Sequence, residues 1–447
     1  MSVAAVAVCW VAPAALFLAL RADMTPEKLL FNVIGPVFLA LPALALRLLI
    51  SALRRLSPPP LPAFDSTPLA EQLAANWDAR SGGFRAGVGV YASVWTRDSF
   101  FALFAPVGPR AVRLRALCDR LRRHRAAVRR AGPYGYARAE ASGARYAHVP
   151  FQFNEVWYIP STLRGRACMR RRPVVLHCDE KYGQPVMDVN AQYVIMVSEA
   201  FSASPDCEWL AEHAEALAQA LAFYELYADV QGLVHEKPFG NWEDSLLYCG
   251  PRPFTNLMYL EALRRAAALL RALGRTPDAR KYEAEAERIY EPVMRLISAQ
   301  RDTKTVALAG LWLVDEPRVE LWMREMLRMY PNTMPPNRWP VPPPSACCST
   351  LRIIGQAGYH RDFRWSNVGC LWAAALVRRG FINEGRAVFD RFEKAVERFG
   401  TVHEVYEAET ELPVCRSLYR SETRFSMGIG PYLYAKHIIH GPSDAGT

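Results

Sequence analysis

Several patterns that mark common enzyme classes are missing from this chain of 447 residues. Ten cysteines form no Cys-x-x-Cys pair and nine histidines show no metal-ligand spacing, so a zinc site is not expected. The absence of a Gly-x-Ser-x-Gly elbow argues against a serine hydrolase. Ser81-Gly82-Gly83 is too short for a phosphate-binding loop, and no helical repeat of fixed period occurs. We therefore expect neither a metal nor an organic cofactor.

Acidic residues are nearly absent from Arg110–Arg130, where nine arginines accompany one acid, Asp119. Leu114, Leu117 and Leu121 recur at helical spacing, which predicts an amphipathic helix over this range with a basic face. Such a face is either solvated or contacts anionic lipid headgroups. No nucleic-acid-binding module accompanies the formal net charge of +10, so nucleic acid is not an expected partner.

The first sixty residues contain two long apolar runs, Ser2–Leu20 and Phe31–Ile50. Each is close to the roughly 20 residues that cross a bilayer as a helix. A cleaved signal peptide would have a basic segment ahead of the first run, and none is present. We predict a membrane anchor of one or two transmembrane helices at residues 1–60. Arg47, Arg54 and Arg55 favour a cytosolic position for the rest of the chain, and a lumenal or extracellular one stays open.

Helical periodicity dominates from about residue 67 onward. With 51% hydrophobic and 22% charged residues, this part can bury a large core. Helices are predicted over Cys207–Ala228, Pro253–Leu273, Pro277–Ile297, Val319–Met329, Val368–Arg379 and Asn383–Phe399. Short links alternate with long loops rich in Trp, Tyr and Pro. We expect an all-α domain at 61–440, an (α/α)6 toroid in which the long loops meet at one end.

Two segments about 160 residues apart, Gly240–Ser245 and His403–Thr410, combine carboxylates with aromatic and polar residues. Glycosidic bond hydrolysis needs one carboxylic acid to protonate the leaving oxygen and a second carboxylate on the other face of the sugar. Aromatic rings cover the apolar face of a sugar, while polar side chains bond its hydroxyls. Together the two segments predict a carbohydrate site.

The order of motifs along the chain resembles that of the inverting (α/α)6-barrel glycosidases. The resemblance is carried by Tyr91–Ser99, Asn241–Ser245, Glu404-x-Tyr406-x-x-x-Thr410 and Arg424-Phe425-Ser426, and it spans about residues 85–436. This group includes trehalases, alkaline invertases and amylo-1,6-glucosidases, and the chain is most similar to the α-glucosidase I and mannosylglycerate hydrolase branch. The resemblance implies a hydrolase that cleaves an α-glucoside or a related small α-glycoside with inversion and without a cofactor.

By this resemblance, Asp244 stands where the family has its general acid and Glu404 where it has its general base. The residues matched to substrate binding are Trp95, Arg97, Asp98, Asp188, Asn190, Trp242, Trp365 and Tyr406. Three positions depart from the family pattern: Ser366-Asn367 replaces Arg-Gly, Glu411 replaces Gly, and Met427 replaces Trp. These departures bear on the leaving-group subsite, because both carboxylates are retained.

Alternatives stay open at each level. Glu243 and Glu407 are rivals for the acid and the base, and Arg97-Asp98 is also compatible with a structural ion pair. The same toroid could belong to a non-catalytic sugar-binding or scaffold protein, or to another toroid enzyme such as a sugar epimerase or a lyase. An epimerase would use histidines as proton carriers, and His177, His235 and His403 lack suitable neighbours in the sequence.

Overall fold

The computed structural model describes residues 60–89, 93–131, 135–138, 144–150, 152–158, 170–179, 184–238, 240–243, 245–347, 356–416 and 419–441. Apart from Pro60, the predicted membrane anchor at 1–60 lies outside these residues. Nearly all the described residues belong to one compact unit, made of Pro60–Arg352, Gln356–Cys415 and Arg420–Thr447. A second unit, made of Met1–Pro59, Ile353–Gly355 and Arg416–Tyr419, contributes only Arg416 and Tyr419 to them.

Twelve α-helices occur in the described part of the chain. They are α1 Leu69–Ala75, α2 Thr96–Ala102, α3 Arg110–His124, α4 Val189–Ala203, α5 Cys207–Ala222, α6 Pro253–Ala272, α7 Thr276–Ala299, α8 Thr303–Trp312, α9 Pro317–Met329, α10 Ser366–Arg378, α11 Ile382–Phe399 and α12 Ser426–His440. Single 3₁₀ turns lie between α5 and α6, at Phe223–Leu226, and between α9 and α10, at Pro344–Ala346.

The even-numbered helices form a closed inner ring. In the order α2, α4, α6, α8, α10 and α12, each packs on the next, and α12 packs back on α2. The odd-numbered helices lie outside: α3 packs on α4, α5 on α4 and α6, α7 on α6, α9 on α8, α11 on α10 and α12, and α1 on α12. Six outer–inner pairs therefore close one toroid, as the sequence predicted.

Local sequence explains why the helices start and stop where they do. The carboxylates of Asp206 and Asp302 accept hydrogen bonds from backbone N–H groups in the first turns of α5 and α8. Pro253 stands in the first turn of α6, where a missing N–H costs nothing. Gly400 ends α11 in the left-handed conformation, with φ of 69°. The outer helices bury one stripe, whereas α4 and α10 are buried over most of their length.

Short antiparallel strands connect the helices. They are β1 Trp77–Asp78, β2 Gly83–Phe84, β3 Val94–Trp95, β4 Ala126–Ala131, β5 Gly135–Arg138, β6 Tyr146–His148, β7 Gln152–Tyr158, β8 Arg170–Leu176, β9 Cys178–Asp179, β10 Gln184–Pro185, β11 His235–Glu236, β12 Gly250–Pro251, β13 Arg364–Trp365, β14 Val405–Tyr406, β15 Cys415–Arg416 and β16 Tyr419–Arg420. Two sheets have three strands, in the orders β3-β7-β8 and β5-β4-β6.

These sheets correct two expectations. The domain is mostly helical but not all-α, because strands β4–β10 stand between α3 and α4. The helix predicted over Arg110–Arg130 ends at His124, and Ala126–Ala131 forms strand β4 instead. Arg125 marks the change, with an extended backbone at ψ of 141°.

The basic face of α3 is neither fully solvated nor free for lipid. Arg110 pairs with Glu199 on α4 at 2.8 Å, Arg115 with Asp206 at 3.0 Å, and Arg122 with Glu212 on α5 at 2.7 Å. These arginines join the outer helix α3 to the hairpin beside it. Within the described ranges, no helix combines the length and the apolar character that a bilayer span needs.

Candidate active site

The predicted site residues lie where the chain enters the inner helices. Arg97 and Asp98 are in the first turn of α2, Asp188 directly precedes α4, and Trp365 directly precedes α10. Gly240–Ser245 lies in the loop before α6, and Glu404 lies in the loop before α12. These residues therefore lie at one end of the toroid. The sequence analysis predicted that the long loops meet at such an end.

Glu404 is held by its backbone and by its side chain. Its N–H donates to the carbonyl of Glu422 at 3.0 Å, and its carbonyl accepts from the N–H of Ser366, the first residue of α10, at 3.1 Å. The hydroxyl of Tyr359 donates a hydrogen bond to Oε1 of Glu404. Glu404 is 2% exposed. The donor from Tyr359 fixes the orientation of this buried carboxyl group.

An aromatic cluster connects Glu404 to the other predicted segment. The rings of His360 and Trp365 stack with centroids 4.6 Å apart, and Trp242 meets both edge-on at 5.2 and 5.7 Å. The ring of Tyr359 lies 4.9 Å from that of Trp365, whose Nε1 donates to the Tyr359 carbonyl at 2.6 Å. His360 Nδ1 is hydrogen-bonded to Ser245 Oγ at 2.8 Å. The two motifs that the sequence separates therefore share one packed cluster.

Glu243, the rival acid, is engaged in a buried ion pair. Arg338 donates from Nε to both carboxylate oxygens of Glu243 at 2.9 Å, and from Nη2 to Oε2. Burial opposes a charge on Arg338, but the attraction of Glu243 raises the pKa of the guanidinium above its ordinary value. A carboxylate held in this way is poorly suited to donate a proton. Asp244 itself lies outside the described residues, so its predicted role stays a prediction.

Arg97 forms an ion pair with Asp188. Its Nε donates to Oδ2 of Asp188 at 2.7 Å and its Nη2 to Oδ1 at 2.9 Å, a two-point contact between α2 and α4. Gln192 also donates to Asp188, at 3.2 Å. Asp98, one residue further along α2, is 8% exposed. The Arg97–Asp188 ion pair thus joins the starts of two inner helices.

Lys304, in the first turn of α8, is a site residue that the sequence analysis missed. Its Nζ lies 3.8 Å from the ring centroid of Trp242 and 4.0 Å from that of Phe101. No described residue accepts a hydrogen bond from this amine, which is completely buried. Burial, and then the charge of Arg97, lower the pKa of Lys304 well below its ordinary value. In sequence it resembles any exposed lysine, so no pattern pointed to it.

Three residues predicted to bind substrate occupy supporting positions. The amide of Asn190 donates to the carbonyls of Ala147 and Ala220 and accepts from the N–H of Val149, so its polar groups are engaged in the fold. The buried hydroxyl of Tyr406 accepts from the N–H of His403 at 3.1 Å and fixes the turn before Glu404. Trp95 lies in β3, directly ahead of α2, and is partly buried.

A second buried carboxyl, Glu236, holds the loop that carries Trp242. Its Oε1 accepts from Asn241 at 2.7 Å, and Thr255 in the first turn of α6 donates to it at 3.3 Å. Burial raises the pKa of Glu236 to about 8, so this group is protonated over most of the neutral range. Glu236, Asn241 and Glu243 also line a narrow cleft with Arg252.

Tyr359, His360, Arg338 and Glu236 were also missed by the sequence analysis. In the sequence, the predicted site residue Trp365 follows the first two closely, and Trp242 follows Glu236 by six positions. No predicted site residue lies near Arg338 in the sequence. Among the described residues, no group of three or more His, Cys, Asp or Glu side chains could hold a metal ion. Trp242, Trp365 and Glu404 are each less than 5% exposed, so the site is closed in this structure.

This architecture is that of the (α/α)6 glycosidases. No family model matches the chain, and no curated protein matches it. Solved structures do. A GH63 mannosylglycerate hydrolase from Thermus thermophilus in complex with glucose has a TM-score of 0.53 at 15% sequence identity, covering 82% of this chain and 99% of that chain.

Two further structures support the same fold. A glycosidase variant in complex with glucose has a TM-score of 0.52 at 14% identity and covers 83% of this chain and 96% of that chain. A rhamnosidase from Klebsiella oxytoca with rhamnose bound has a TM-score of 0.51 at 13% identity and covers 86% of this chain and 66% of that chain. At such identities the likeness establishes the fold, which confirms the resemblance found in the sequence.

Proposed function

We propose that this protein is an inverting glycoside hydrolase that acts on an α-glucoside or a related small α-glycoside. The single observation that carries the proposal is the buried Glu404, hydrogen-bonded by Tyr359 and joined through the aromatic cluster to the segment 240–245. The fold adds support, since the similar structures include enzymes that were solved with glucose and with rhamnose bound.

In the proposed reaction Glu404 is the general base. Its ionised carboxylate takes a proton from a water molecule, whose oxygen attacks the anomeric carbon from the face opposite the leaving group. Asp244 is the general acid and gives its proton to the glycosidic oxygen as the bond to the anomeric carbon breaks. For inversion, the two carboxyl groups have to stand roughly 6.5–9.5 Å apart, with room for the water between them.

Aromatic and polar side chains near the two carboxyl groups hold the sugar. The Trp242 and Trp365 rings offer flat apolar surfaces, and Asp98 and the rim of the Arg97–Asp188 pair offer partners for hydroxyl groups. Because these side chains are mostly buried, a substrate enters only when the loops at this end of the toroid move apart.

Two substitutions test the roles of the carboxyl groups. Asp244→Asn should reduce turnover of alkyl α-glycosides by about 10²–10⁴-fold, because a poor leaving group needs the proton. The loss should be much smaller on 4-nitrophenyl α-glycosides, whose leaving group departs without it. Glu404→Gln should reduce turnover of both substrate types by about 10²–10⁴-fold, because both need the attacking water. Steady-state kinetics on a panel of alkyl and aryl α-glycosides measures both effects.

Glu409→Gln is the matched control, since Glu409 is an exposed carboxylate five residues beyond Glu404. It should retain full activity, and Glu407→Gln tests the rival base. Near-normal turnover in Glu404→Gln, or an equal loss on both substrate types in Asp244→Asn, would remove the proposed assignment.

His360 favours a second candidate, a sugar epimerase on the same toroid. This imidazole was not considered in the sequence analysis, yet it stacks on Trp365 and is hydrogen-bonded to Ser245 within the site. An epimerase would exchange a carbon-bound sugar hydrogen with solvent. Incubation of free sugars in D2O, followed by mass spectrometry, distinguishes the candidates: a hydrolase incorporates no deuterium at carbon.

We further propose that residues 1–57 attach the protein to a membrane, with the toroid on the cytosolic side. The support comes from the two apolar runs, from Arg47 near the end of the second run, and from Arg54 and Arg55 after it. Deletion of Met1–Ser57 should move the protein from the membrane pellet to the supernatant and leave its thermal unfolding cooperative. A truncated protein that stays in the pellet, or a full-length chain that is already soluble, would contradict the proposal.

A further inference from the structure

A second cavity opens at the end of the toroid away from the candidate active site. It has a volume of about 240 Å³ and is lined by the later parts of the inner helices, including Phe100, Phe104, Trp312 and Tyr434. Trp312 is the last residue of α8, eight residues after Lys304 at the other end, a rise of about 12 Å. This cavity is therefore distinct from the proposed glycosidase site.

Nine of the thirteen lining residues are apolar or aromatic, and the other four are charged. The rings of Phe104 and Tyr434 meet edge-on at 5.4 Å, and Phe100 and Phe104 meet edge-on at 5.6 Å. Leu311 and Trp312 are partly exposed at its mouth, whereas Phe100 is buried. A preformed cavity of this kind favours a ligand with an apolar body, because entry removes apolar surface from water on both sides.

The charged groups at the cavity determine which sign of charge a ligand can carry there. Arg265 binds both Glu199 and Glu261, and Arg110 donates to Glu199 at 2.8 Å, so these two arginines and two carboxylates balance one another. Arg378, the last residue of α10, is exposed and makes no ion pair with any carboxylate in the described ranges. The mouth therefore has one uncompensated positive charge.

We propose that this cavity binds an amphiphilic monoanion, an alkyl carboxylate whose chain enters the aromatic lining and whose head pairs with Arg378. An apolar body alone would gain nothing from the guanidinium, and a cation would be repelled by it. The head of a carboxylate fits the planar guanidinium fork, which can donate two parallel hydrogen bonds.

Isothermal titration calorimetry of the full chain with decanoate tests the proposal, with decylammonium as the cation of the same length. Decanoate should bind at one saturable site, and decylammonium should not bind there. Arg378→Gln should weaken decanoate binding about tenfold or more, because it removes the charge-assisted pair. Arg386→Gln, an exposed arginine on the outer helix α11, is the matched control and should bind like the wild type.

Leu311→Trp adds a second, independent variant that fills the mouth of the cavity. It should abolish decanoate binding while the thermal unfolding midpoint stays near that of the wild type. The proposal is overturned if decanoate does not bind, if decylammonium binds equally well, or if binding survives unchanged in either Arg378→Gln or Leu311→Trp.

Discussion

Lys304 is the residue whose environment departs furthest from what its type prefers. Lysine is seldom fully buried without a partner, yet this amine lies between the rings of Trp242 and Phe101 and bonds to no described group. The ring faces supply some attraction to a positive charge, but they do not replace the hydration that burial removes. A polar group retained at such a cost beside the aromatic cluster is consistent with a functional rather than a stabilising role.

Lys304→Met should therefore raise the free energy of unfolding at pH 7 by about 1–3 kcal/mol, because it removes an unpartnered buried amine. The folded-state pKa of Lys304 is lowered, so between that pKa and 10.5 the unfolded state binds more protons, and the contribution of this group to stability rises with pH. The variant should lose that rise. Urea unfolding at pH 7 and pH 9.5 measures both effects, with the exposed Lys281→Met as control. A destabilised Lys304→Met would contradict this account.

At the scale of elements, the loop before α6 depends on one protonated carboxyl. Glu236 in β11 accepts from Asn241 in the loop and from Thr255 in the helix, so it fixes the stretch that leads to Trp242. Because the pKa of Glu236 is raised in the native state, its carboxyl group keeps its proton there above pH 4.5. In the unfolded state Glu236 has its ordinary pKa near 4.5 and releases the proton above it. The stability contributed by this group is present at low pH and is lost as the pH rises toward 8.

Between pH 6.5 and pH 8 we expect Glu236 to lower the free energy of unfolding by about 2 kcal/mol, against the opposite contribution of Lys304 in the same window. Below this window other groups intervene, since Asp302 has a pKa raised to about 6 by burial, and burial lowers the pKa of His148 and of His403 to about 4. Relative to the wild type, Glu236→Gln should therefore gain about 2 kcal/mol of stability across this window, while the exposed Glu208→Gln should follow the wild-type curve. Urea unfolding across the window decides, and an unchanged slope in Glu236→Gln would show that another group is responsible.

Helices with one apolar stripe could be predicted from the sequence. Strands without an alternating pattern, and a helix with apolar residues on every side, could not. The outer helices α7 and α11 were found close to their true limits because their stripes repeat at helical spacing. Strands β4 and β8 were missed because runs such as Arg170–Pro173 lack the alternation of a half-buried strand. Inner helix α4 has apolar residues on every side and gives no periodic signal.

One of the three departures, Glu411, has a backbone conformation that favours glycine. Glu411, where the family has Gly, has a φ of 54°, the left-handed conformation that favours glycine. Its carboxylate contacts Arg391 at 3.3 Å and accepts from the N–H of Met334 at 3.4 Å. The turn after the Glu404 motif thus has the same local geometry that a glycine would permit. A comparison of sequences alone shows that the glycine is replaced but does not show the backbone conformation.

At the scale of the whole molecule, ring closure brings distant residues together. Arg97 and Asp188 are 91 positions apart, and Tyr359 and Glu404 are 45 apart, yet each pair is in direct contact because the inner helices begin at one end. The sequence predicted that end and most of the residues there through the family resemblance. It could not predict Lys304, Arg338 or His360, whose roles depend on neighbours from other helix pairs.

The central claim, an inverting hydrolase with Glu404 as the base, is tested most directly by the anomer that appears first. A single displacement by water releases the β-sugar from an α-glycoside, because water enters opposite the departing group. Proton NMR during the first minutes, before mutarotation equilibrates the anomers, should show the β-anomer of the released sugar appearing first, and none of it with Glu404→Gln. Initial appearance of the α-anomer would instead make Glu404 a nucleophile and contradict the account.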